Sequence, residues 1–238
     1  MNIIAIPARL HSTRCYQKLI RKVDGKALIE HTILTALQSK LADEVVVLTE
    51  DQEIIDAITI SHPKLRTMLT DKADSGTNRI VAALNTVDDH DVVVNWQGDE
   101  PLFNVKHVDK AIDHIRSTRR IAVETFVSEA KHCDLDNTNV VKVVLNARNE
   151  AIYFSRLNVP YKAQKAFIHH GIYVFRGSTI RDIQMLRPLH NVSENLEQLR
   201  WLEDFMVIHC HTIEGVKGGI DTEDDLIGFS EYNLSHKE

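Results

Sequence analysis

The sequence is poor in cysteine, in glycine and in long hydrophobic runs. Its three cysteines, Cys15, Cys133 and Cys210, are odd in number and widely separated, and their spacing is not that of metal ligands. They are therefore interpreted as reduced thiols. The nine glycines form neither a Walker loop nor a G-x-G-x-x-G turn, so the usual support for a kinase or a dinucleotide-dependent dehydrogenase is missing.

An excess of positive charge is also missing. Against 28 Lys and Arg stand 34 Asp and Glu, for a net charge of -6, so we expect neither a nucleic acid nor an anionic membrane as a partner. Aliphatic runs such as Val45-Val46-Val47-Leu48 are far shorter than the roughly 18 residues of a membrane helix. Residues 1–4 lack the basic start of a signal peptide, and we expect a cytoplasmic protein.

The first hundred residues alternate between apolar runs and helical periodicity. Strands are predicted near residues 2–7, 44–49, 65–70 and 91–96, and helices near 26–40, 52–60 and 77–87. Regular alternation of this kind predicts an α/β fold with a mainly parallel sheet and helices on both faces.

The rhythm changes after Pro101. Strands are predicted near residues 121–127, 140–145, 151–154 and 171–176, and helices near 105–117, 178–186 and 194–205. Consecutive strands without long helices between them predict an antiparallel or mixed addition to the sheet. Since no Gly/Ser linker divides the chain, residues 1–238 are expected to form one domain, with parts of about 1–103 and 104–238.

A polar loop follows the first strand. It carries three cations, Arg9, Arg14 and Lys18, together with the hydroxyls of Ser12 and Thr13. Ligands bind at the carboxyl ends of strands in open parallel sheets, and Arg and Lys suit a polyphosphate, so a nucleoside triphosphate is the candidate. A solvated basic loop is the alternative.

Carboxylates follow two further predicted strands. Asp99, preferred over Glu100, and Asp221 are candidate ligands for Mg²⁺, a hard cation that prefers oxygen. The alternatives are an ordinary turn at Asp99 and a helix N-cap at Asp221.

Further polar residues could bind a substrate beside the triphosphate. Arg156 could hold a carboxylate with two hydrogen bonds, or form a surface ion pair. His169 and His170 could position hydroxyls, although any one of 13 scattered histidines is weak support. Glu197, Gln198 and Arg200 could instead form a solvated helical face.

Taken in order, several segments resemble the 3-deoxy-manno-octulosonate cytidylyltransferase family over nearly the whole chain. The matching pieces are residues 6–14, Asp24-Gly-Lys26, Ser75-Gly-Thr-Asn-Arg79, Asn95-Trp-Gln-Gly-Asp-Glu-Pro101, Val140-Val-Lys-Val-Val144, Tyr153-Phe-Ser-Arg156, His169-His-Gly-Ile-Tyr173, Leu196-Glu-Gln-Leu-Arg200 and Asp221-Thr222. The resemblance implies a nucleotide-diphospho-sugar transferase fold, a homodimer, and Mg²⁺-dependent coupling of CTP to a sugar acid for lipopolysaccharide or capsule synthesis.

The resemblance also implies roles for individual residues. Nucleotide binding falls to Arg9, Ser12, Arg14, Lys18, Ser75 and Arg79, with Arg14, Lys18 and Asp99 as catalytic residues. Asp99 and Asp221 would hold the metal. The sugar-acid pocket would comprise Gln97, Arg156, His169, Tyr173, Glu197 and Gln198.

The chain departs from the family pattern at three places. Tyr16-Gln17-Lys18-Leu19 stands where the family usually has Pro-Gly-Lys-Pro, Ala73 replaces a histidine, and Asn146 replaces an aspartate. Such changes fit a specialised relative that acts on another acidic sugar, such as 8-amino-Kdo or a nonulosonate. A non-catalytic nucleotide-binding protein is the alternative from a different class, but the chain retains Lys18, Asp99 and Asp221.

Overall fold

The computed structural model describes residues 1–11, 15–162, 165–186, 194–214 and 218–235, with only the backbone described at residues 132 and 133. Strand β1 (Asn2–Ala8) lies inside the sheet, and all of its residues are buried. It pairs in parallel with β4 (Glu44–Thr49) and β6 (Val92–Asn95), and β5 (Leu65–Leu69) extends the sheet beyond β4. The parallel half predicted from the alternating pattern is confirmed.

The second half of the chain continues the same sheet with mixed pairing. Strand β10 (Phe167–Arg176) runs antiparallel to both β6 and β7 (Val123–Glu129), and β11 (Ile208–Thr212) runs parallel to β7. The order is β11-β7-β10-β6-β1-β4-β5, and the hairpin of β8 (Lys142–Leu145) and β9 (Ala151–Ser155) pairs with β10. The predicted mixed addition is confirmed.

Helices cover both faces of this sheet. Their bounds are α1 (Leu28–Ala36), α2 (Gln52–Asp56), α3 (Gly76–Ala83), α4 (Val105–Ser117), α5 (His132–Leu135), α6 (Gly177–Met185), α7 (Glu197–Glu203) and α8 (Glu223–Ser235). A 3₁₀ turn at Lys18–Ile20 precedes a two-stranded hairpin of β2 (Lys22–Val23) and β3 (Lys26–Ala27). Among the described residues, no helix is long and apolar enough to cross a membrane.

Alternate side chains of β1 pack into two separate hydrophobic cores, one on each face of the sheet. Ile4 and Ile6 belong to the core under α1 and α4, whereas Ile3 and Ala5 belong to the core under α3, α6 and α7. Because successive side chains of a strand point to opposite faces, a strand buried on both faces must be apolar throughout. This explains why β1 was recognisable as a continuous apolar run.

The structure differs from the sequence prediction mainly at the polar strands. Strand β10 begins at Phe167 instead of Gly171, so His169 and His170 lie within it, and β11 was not predicted at all. Both segments mix histidines with apolar residues, so neither shows an uninterrupted apolar run. These two segments are strands because they pair with β7, and such long-range pairing cannot be predicted from local periodicity.

Candidate functional site

The carboxyl ends of the parallel strands β1, β4 and β6 meet at one edge of the sheet. The loop after β1 is held there because the backbone N–H of Leu10 donates to Asp51 Oδ2 at 2.7 Å, just after β4. Arg9 is exposed and lines a cleft at this edge. Ser12 and Arg14, both predicted to bind the nucleotide, lie outside the described residues.

Lys18 occupies the space between the two carboxylates predicted to hold a metal. Its Nζ donates to Asp99 Oδ2 at 2.5 Å, to Asp221 Oδ1 at 3.1 Å and to the carbonyl of Ile220 at 2.8 Å. The residue is only 8% exposed. Burial by itself lowers the pKa of Lys18, but the charges and hydrogen bonds of Asp99 and Asp221 outweigh it and raise that pKa overall, so the ammonium stays charged.

Neighbouring backbone contacts hold this cluster in place. The N–H of Ile220 donates to the carbonyl of Asp99 at 2.9 Å, which joins the loop after β6 to the segment before α8. From the other side, Thr32 of α1 donates its hydroxyl to the carbonyl of Gly98 at 2.8 Å. The chain therefore brings together two carboxylates that lie far apart in the sequence.

Glu100 contributes a third carboxyl group close to those of Asp99 and Asp221. As a metal ligand, Asp99 was preferred to Glu100 from the sequence. The Oε2 of Glu100 is shielded from solvent and has no hydrogen-bond partner among the described residues. Burial, together with the charges of Asp99 and Asp221, raises the pKa of Glu100 to about 8. An unpartnered carboxylate oxygen beside two further carboxylates is a donor set that suits a hard cation such as Mg²⁺.

A cleft of about 250 Å³ lies at the amino end of α3. Its lining includes Arg9, Ala73, Ser75, Arg79 and Gln97. Ser75 caps α3, because its hydroxyl accepts a hydrogen bond from the N–H of Asn78 at 3.1 Å. A Cβ at Gly76 would lie 3.0 Å from Pro7 Cγ, so glycine is what allows α3 to start so close to β1.

Arg79 is almost fully buried, and its guanidinium already has partners. It pairs with Glu50 Oε2 at 2.9 Å and donates to the Thr70 hydroxyl at 2.5 Å. These contacts join α3 to the segments that follow β4 and β5. Arg79 lines the cleft, but its charge is largely balanced by Glu50, so its predicted part in nucleotide binding stays a prediction.

A chain of hydrogen bonds links two residues predicted for the sugar-acid pocket. Gln97 donates to Asn95 Oδ1 at 2.8 Å, Asn95 Nδ2 donates to the Thr77 hydroxyl at 3.0 Å, and that hydroxyl donates to Glu197 Oε1 at 2.9 Å. Asn95 was not predicted as a site residue. The one signal for it was an amide at the end of the otherwise apolar strand β6.

Glu197 begins α7 and borders a second cleft of about 260 Å³. The two clefts share Asp74 and Ser75 in their linings, so they adjoin at the amino end of α3. Burial raises the pKa of Glu197, although its hydrogen bonds with Thr77 and Ser75 oppose that shift. Gln198, the next residue, is buried.

Arg156 lies just after β9, close to the segment that leads into α7. Glu194 makes this connection, since it accepts hydrogen bonds from the Ser155 hydroxyl at 2.6 Å and from the Arg156 N–H at 2.5 Å. The Arg156 guanidinium donates to the carbonyls of Thr138 and Asn139, and in the described parts of the chain no carboxylate pairs with it. The surface ion pair considered from the sequence is therefore not found there.

His169 and Tyr173 lie on β10, and their rings pack against each other. Their ring centroids are 5.4 Å apart, and Trp201 of α7 packs edge-on against Tyr173 at 4.9 Å. His169 Nε2 lies 2.8 Å from the Thr125 hydroxyl. Burial, with a smaller contribution from His170, lowers the pKa of His169 to about 3, so the imidazole is neutral near pH 7.

The three departures from the family pattern have different structural consequences. Gln17, at the position of the family's glycine, has a φ of 49° and thus a left-handed backbone that glycine adopts more easily. Ala73 lines the first cleft. Asn146 instead serves the turn between β8 and β9, where its Oδ1 accepts from the N–H groups of Arg148 and Glu150.

The N-cap role considered for Asp221 is wrong. Thr222 immediately precedes α8, and its hydroxyl accepts from the N–H of Asp225 at 3.2 Å, while the Asp225 carboxylate accepts from the N–H of Thr222 at 2.8 Å. This reciprocal arrangement caps the helix. It leaves the Asp221 carboxylate directed at Lys18.

A parallel sheet with carboxylates, a buried lysine and two adjoining clefts at its carboxyl edge matches one family of transferases. A family model described as cytidylyltransferase matches residues 3–210, and the chain belongs to this family of nucleotidyltransferases. It is 36% identical to a 3-deoxy-manno-octulosonate cytidylyltransferase of Chloroherpeton thalassium, over 94% of each chain. A relative of the same name from Flavobacterium johnsoniae is 37% identical, over 95% of this chain and 96% of its own.

Solved structures agree with the assignment. A CMP:2-keto-3-deoxy-manno-octonic acid synthetase in complex with CTP superposes with a TM-score of 0.90 at 29% identity, over 99% of both chains. A 4-diphosphocytidyl-2C-methyl-D-erythritol synthase from Anaerococcus prevotii has a TM-score of 0.65 at 16% identity and shares the fold. The nucleotide-diphospho-sugar transferase fold expected from the resemblance is thereby confirmed.

We expect Gln17→Gly to stabilise the protein by up to about 1 kcal/mol, because it relieves a left-handed backbone conformation at a non-glycine residue. Phe205 has a φ of 60° and is 93% exposed, so Phe205→Gly is a matched control outside the clefts. Urea denaturation measures both. A loss of stability in Gln17→Gly alone would show that the side chain makes contacts that outweigh the strain.

We expect Thr77→Val to destabilise the protein by about 1–3 kcal/mol, because it leaves Asn95 Nδ2 and Glu197 without the partner that joins them. Thr179 is another buried threonine, but it donates only to the carbonyl of Ala122 at 3.0 Å. Thr179→Val should cost only about 0.5–1.5 kcal/mol. Equal losses in chemical denaturation would argue against a coupled chain of hydrogen bonds.

Proposed function

We propose that the protein transfers the cytidylyl group of CTP to 3-deoxy-manno-octulosonate, with release of pyrophosphate. The observation that carries this proposal is the junction of the two clefts at Ser75. One cleft is lined by Gln97, which lies two residues before Asp99 in the loop after β6, and the other cleft is lined by Glu197. The names of the curated relatives and the CTP complex of the similar structure support the same reaction.

The first cleft is proposed to bind the nucleotide. Arg9 lines it from the loop after β1, and Ser75 lines it from the amino end of α3. The N–H groups at a helix amino end favour negative charge, and an exposed arginine can donate two hydrogen bonds to a phosphate. Ser12 and Arg14 are proposed to complete this phosphate-binding loop, on the strength of the sequence resemblance alone.

The carboxylate cluster is proposed to hold Mg²⁺. Asp99 and Asp221 would be the ligands, and the unpartnered Oε2 of Glu100 is a third oxygen nearby. When bound, the ion supplies neutralisation of phosphate charge and a lower pKa for a hydroxyl in contact with it. The single positive charge of Lys18 offsets only part of the charge of these carboxylates, and its ammonium already contacts one oxygen of Asp99 and one of Asp221.

The second cleft is proposed to bind the sugar acid. Arg156 would pair with the sugar carboxylate, because its guanidinium lacks an acidic partner among the described residues and its backbone N–H donates to Glu194, which precedes α7. Hydroxyl recognition is proposed for Gln97, His169, Tyr173, Glu197 and Gln198. The hydrogen-bond chain through Asn95 and Thr77 orients two of them, Gln97 and Glu197.

The chemistry then requires positioning more than covalent catalysis. The anomeric hydroxyl of the sugar attacks the α-phosphorus in line and loses its proton, and the bond between the α-phosphorus and the bridging oxygen breaks. Pyrophosphate leaves with that oxygen. Two adjoining clefts hold both reactants in one geometry, an effect that can lower a barrier by about 7–11 kcal/mol. Lys18 and Arg9 offset the charge that accumulates on the phosphates.

The remaining expectations from the resemblance stay proposals. A homodimer is supported by exposed apolar side chains concentrated on and after β9, namely Ile152, Tyr153, Leu157 and Tyr161. A cytoplasmic location and a product used for lipopolysaccharide or capsule rest on the sequence resemblance, whereas the names of the relatives support the cytidylyl transfer itself. The alternatives of another acidic sugar and of a non-catalytic binding protein are not favoured by those names.

Asp99→Asn and Asp221→Asn should each lower turnover by at least about tenfold, equivalent to about 1.4 kcal/mol in the barrier, because each removes a charged ligand. Asp224→Asn, at an exposed position beside the cluster, should leave turnover within about twofold. Pyrophosphate release at limiting Mg²⁺ measures the three variants. Near-normal turnover of both cluster variants would exclude them as metal ligands.

The purified protein should release pyrophosphate from CTP with 3-deoxy-manno-octulosonate and not with the 1-phosphate of an uncharged sugar, because such a substrate lacks the carboxylate that Arg156 is proposed to bind. Arg156→Ala should raise KM for the sugar acid at least about tenfold while KM for CTP stays nearly constant. Arg148→Ala, at an exposed arginine in the β8–β9 turn, is the control. Efficient use of the 1-phosphate of an uncharged sugar would overturn the proposed substrate class.

A further inference from the structure

Four potential metal ligands converge on β7, β11 and α4, and none of them lines either cleft. His209 and His211 lie two residues apart on β11 and thus on one face of that strand. Glu124 of β7 is the register neighbour of His209, and His114 of α4 covers the same place. One donor atom from each of the four side chains lies within 4.8 Å of all the others.

Hydrogen bonding accounts for only part of this cluster. The Glu124 carboxylate is fully buried, with His114 Nδ1 at 2.7 Å from one oxygen and His211 Nε2 at 2.5 Å from the other. His209 differs, because its Nδ1 is buried and has no hydrogen-bond partner among the described residues. A buried polar atom without a partner is uncommon in proteins, and a bound ion is one physical explanation for it.

The three imidazoles form a compact group. The ring centroid of His209 lies 4.7 Å from that of His114 and 4.8 Å from that of His211, and the other two centroids are 5.4 Å apart. A core built only for packing would gain nothing from three polar rings beside a buried carboxylate. The arrangement brings three nitrogen donors and one oxygen donor to a single point.

We propose that His114, Glu124, His209 and His211 bind one Zn²⁺ ion. Zinc bonds to imidazole nitrogen at about 2.0–2.1 Å in a tetrahedron, which places ligand atoms about 3.4 Å apart. To reach that spacing, side-chain rotation must shorten the longest separations, of up to 4.8 Å, and lengthen the contacts of 2.7 Å and 2.5 Å to Glu124. Three imidazoles suit zinc and related transition metals and do not suit Mg²⁺, so this site and the carboxylate cluster differ in chemistry.

The zinc site has a structural role. With four protein ligands it is closed, as structural zinc sites are, and it joins strand β11 to β7 and α4. Among the described residues, β7 is the one strand that pairs along the length of β11, and the turn before β9 adds an isolated bridge between Glu150 and His209. An ion enters from the side of His114, whose side chain is 37% exposed.

The test measures metal binding directly, without reference to turnover. Protein stripped with a chelator is dialysed against micromolar ZnCl₂ in the presence of millimolar MgCl₂, and bound metal is counted by mass spectrometry. We expect one zinc per chain, a higher Tm on zinc addition, and a zinc absorption-edge spectrum with imidazole scattering from three ligands.

Single substitutions test whether zinc binds at these four residues. His209→Ala should weaken zinc binding by at least about 100-fold, since loss of a direct ligand costs no less than loss of an outer partner. It should fold without zinc, because the unpartnered Nδ1 gives the metal-free protein no hydrogen bond; circular dichroism checks this. His62→Ala removes an exposed histidine elsewhere and should leave zinc binding unchanged, as should Asp99→Asn.

Three results would overturn the proposal. The first is the absence of stoichiometric zinc in the wild-type protein at micromolar zinc. The second is equal zinc affinity in the wild-type protein and His209→Ala. The third is loss of zinc in Asp99→Asn with retention in His209→Ala, which would place the ion at the carboxylate cluster instead. His211→Ala provides a second reading should His209→Ala not fold.

Discussion

The ammonium of Lys18 is the contact around which the candidate site is built. It joins the 3₁₀ turn after the first loop to Asp99, which follows β6, and to Ile220 and Asp221, which precede α8. Without a cation at this point, the carboxylates of Asp99, Glu100 and Asp221 would repel one another in a partly buried place. The parallel strands place the loops at one edge, and this charge holds them together.

The neutral half of the site depends on a different kind of contact. Asn95 and Thr77 are buried and satisfy each other, and through them Gln97 on one loop is coupled to Glu197 on α7. Buried polar groups of this kind must all be paired, because an unpaired member costs more than a made bond contributes. The two clefts are therefore coupled through the amino end of α3 and do not form independently.

Much of this was predictable from the sequence. Strand β1 was predicted from an apolar run that is followed by cations. A cluster of carboxylates that includes Asp99 was predicted because the carboxyl ends of parallel strands lie at one edge of the sheet. The sequence did not predict that Glu100 has a shielded carboxylate oxygen in the same cluster, because a turn sequence does not show which of its carboxylates is buried. The N-cap role considered as an alternative for Asp221 is wrong, because Thr222 fills that role one residue later.

The sequence by itself determined the parallel half of the sheet, the class of chemistry and the order of the family's motifs, because these depend on local periodicity and on residue types at short spacing. Only the tertiary structure decided that Lys18 lies between Asp99 and Asp221, that Asn95 leads to Glu197, and that three of thirteen scattered histidines meet at Glu124. The physical reason is sequence separation: these contacts form when strands and helices pack, and pairing between distant strands leaves no local pattern to read.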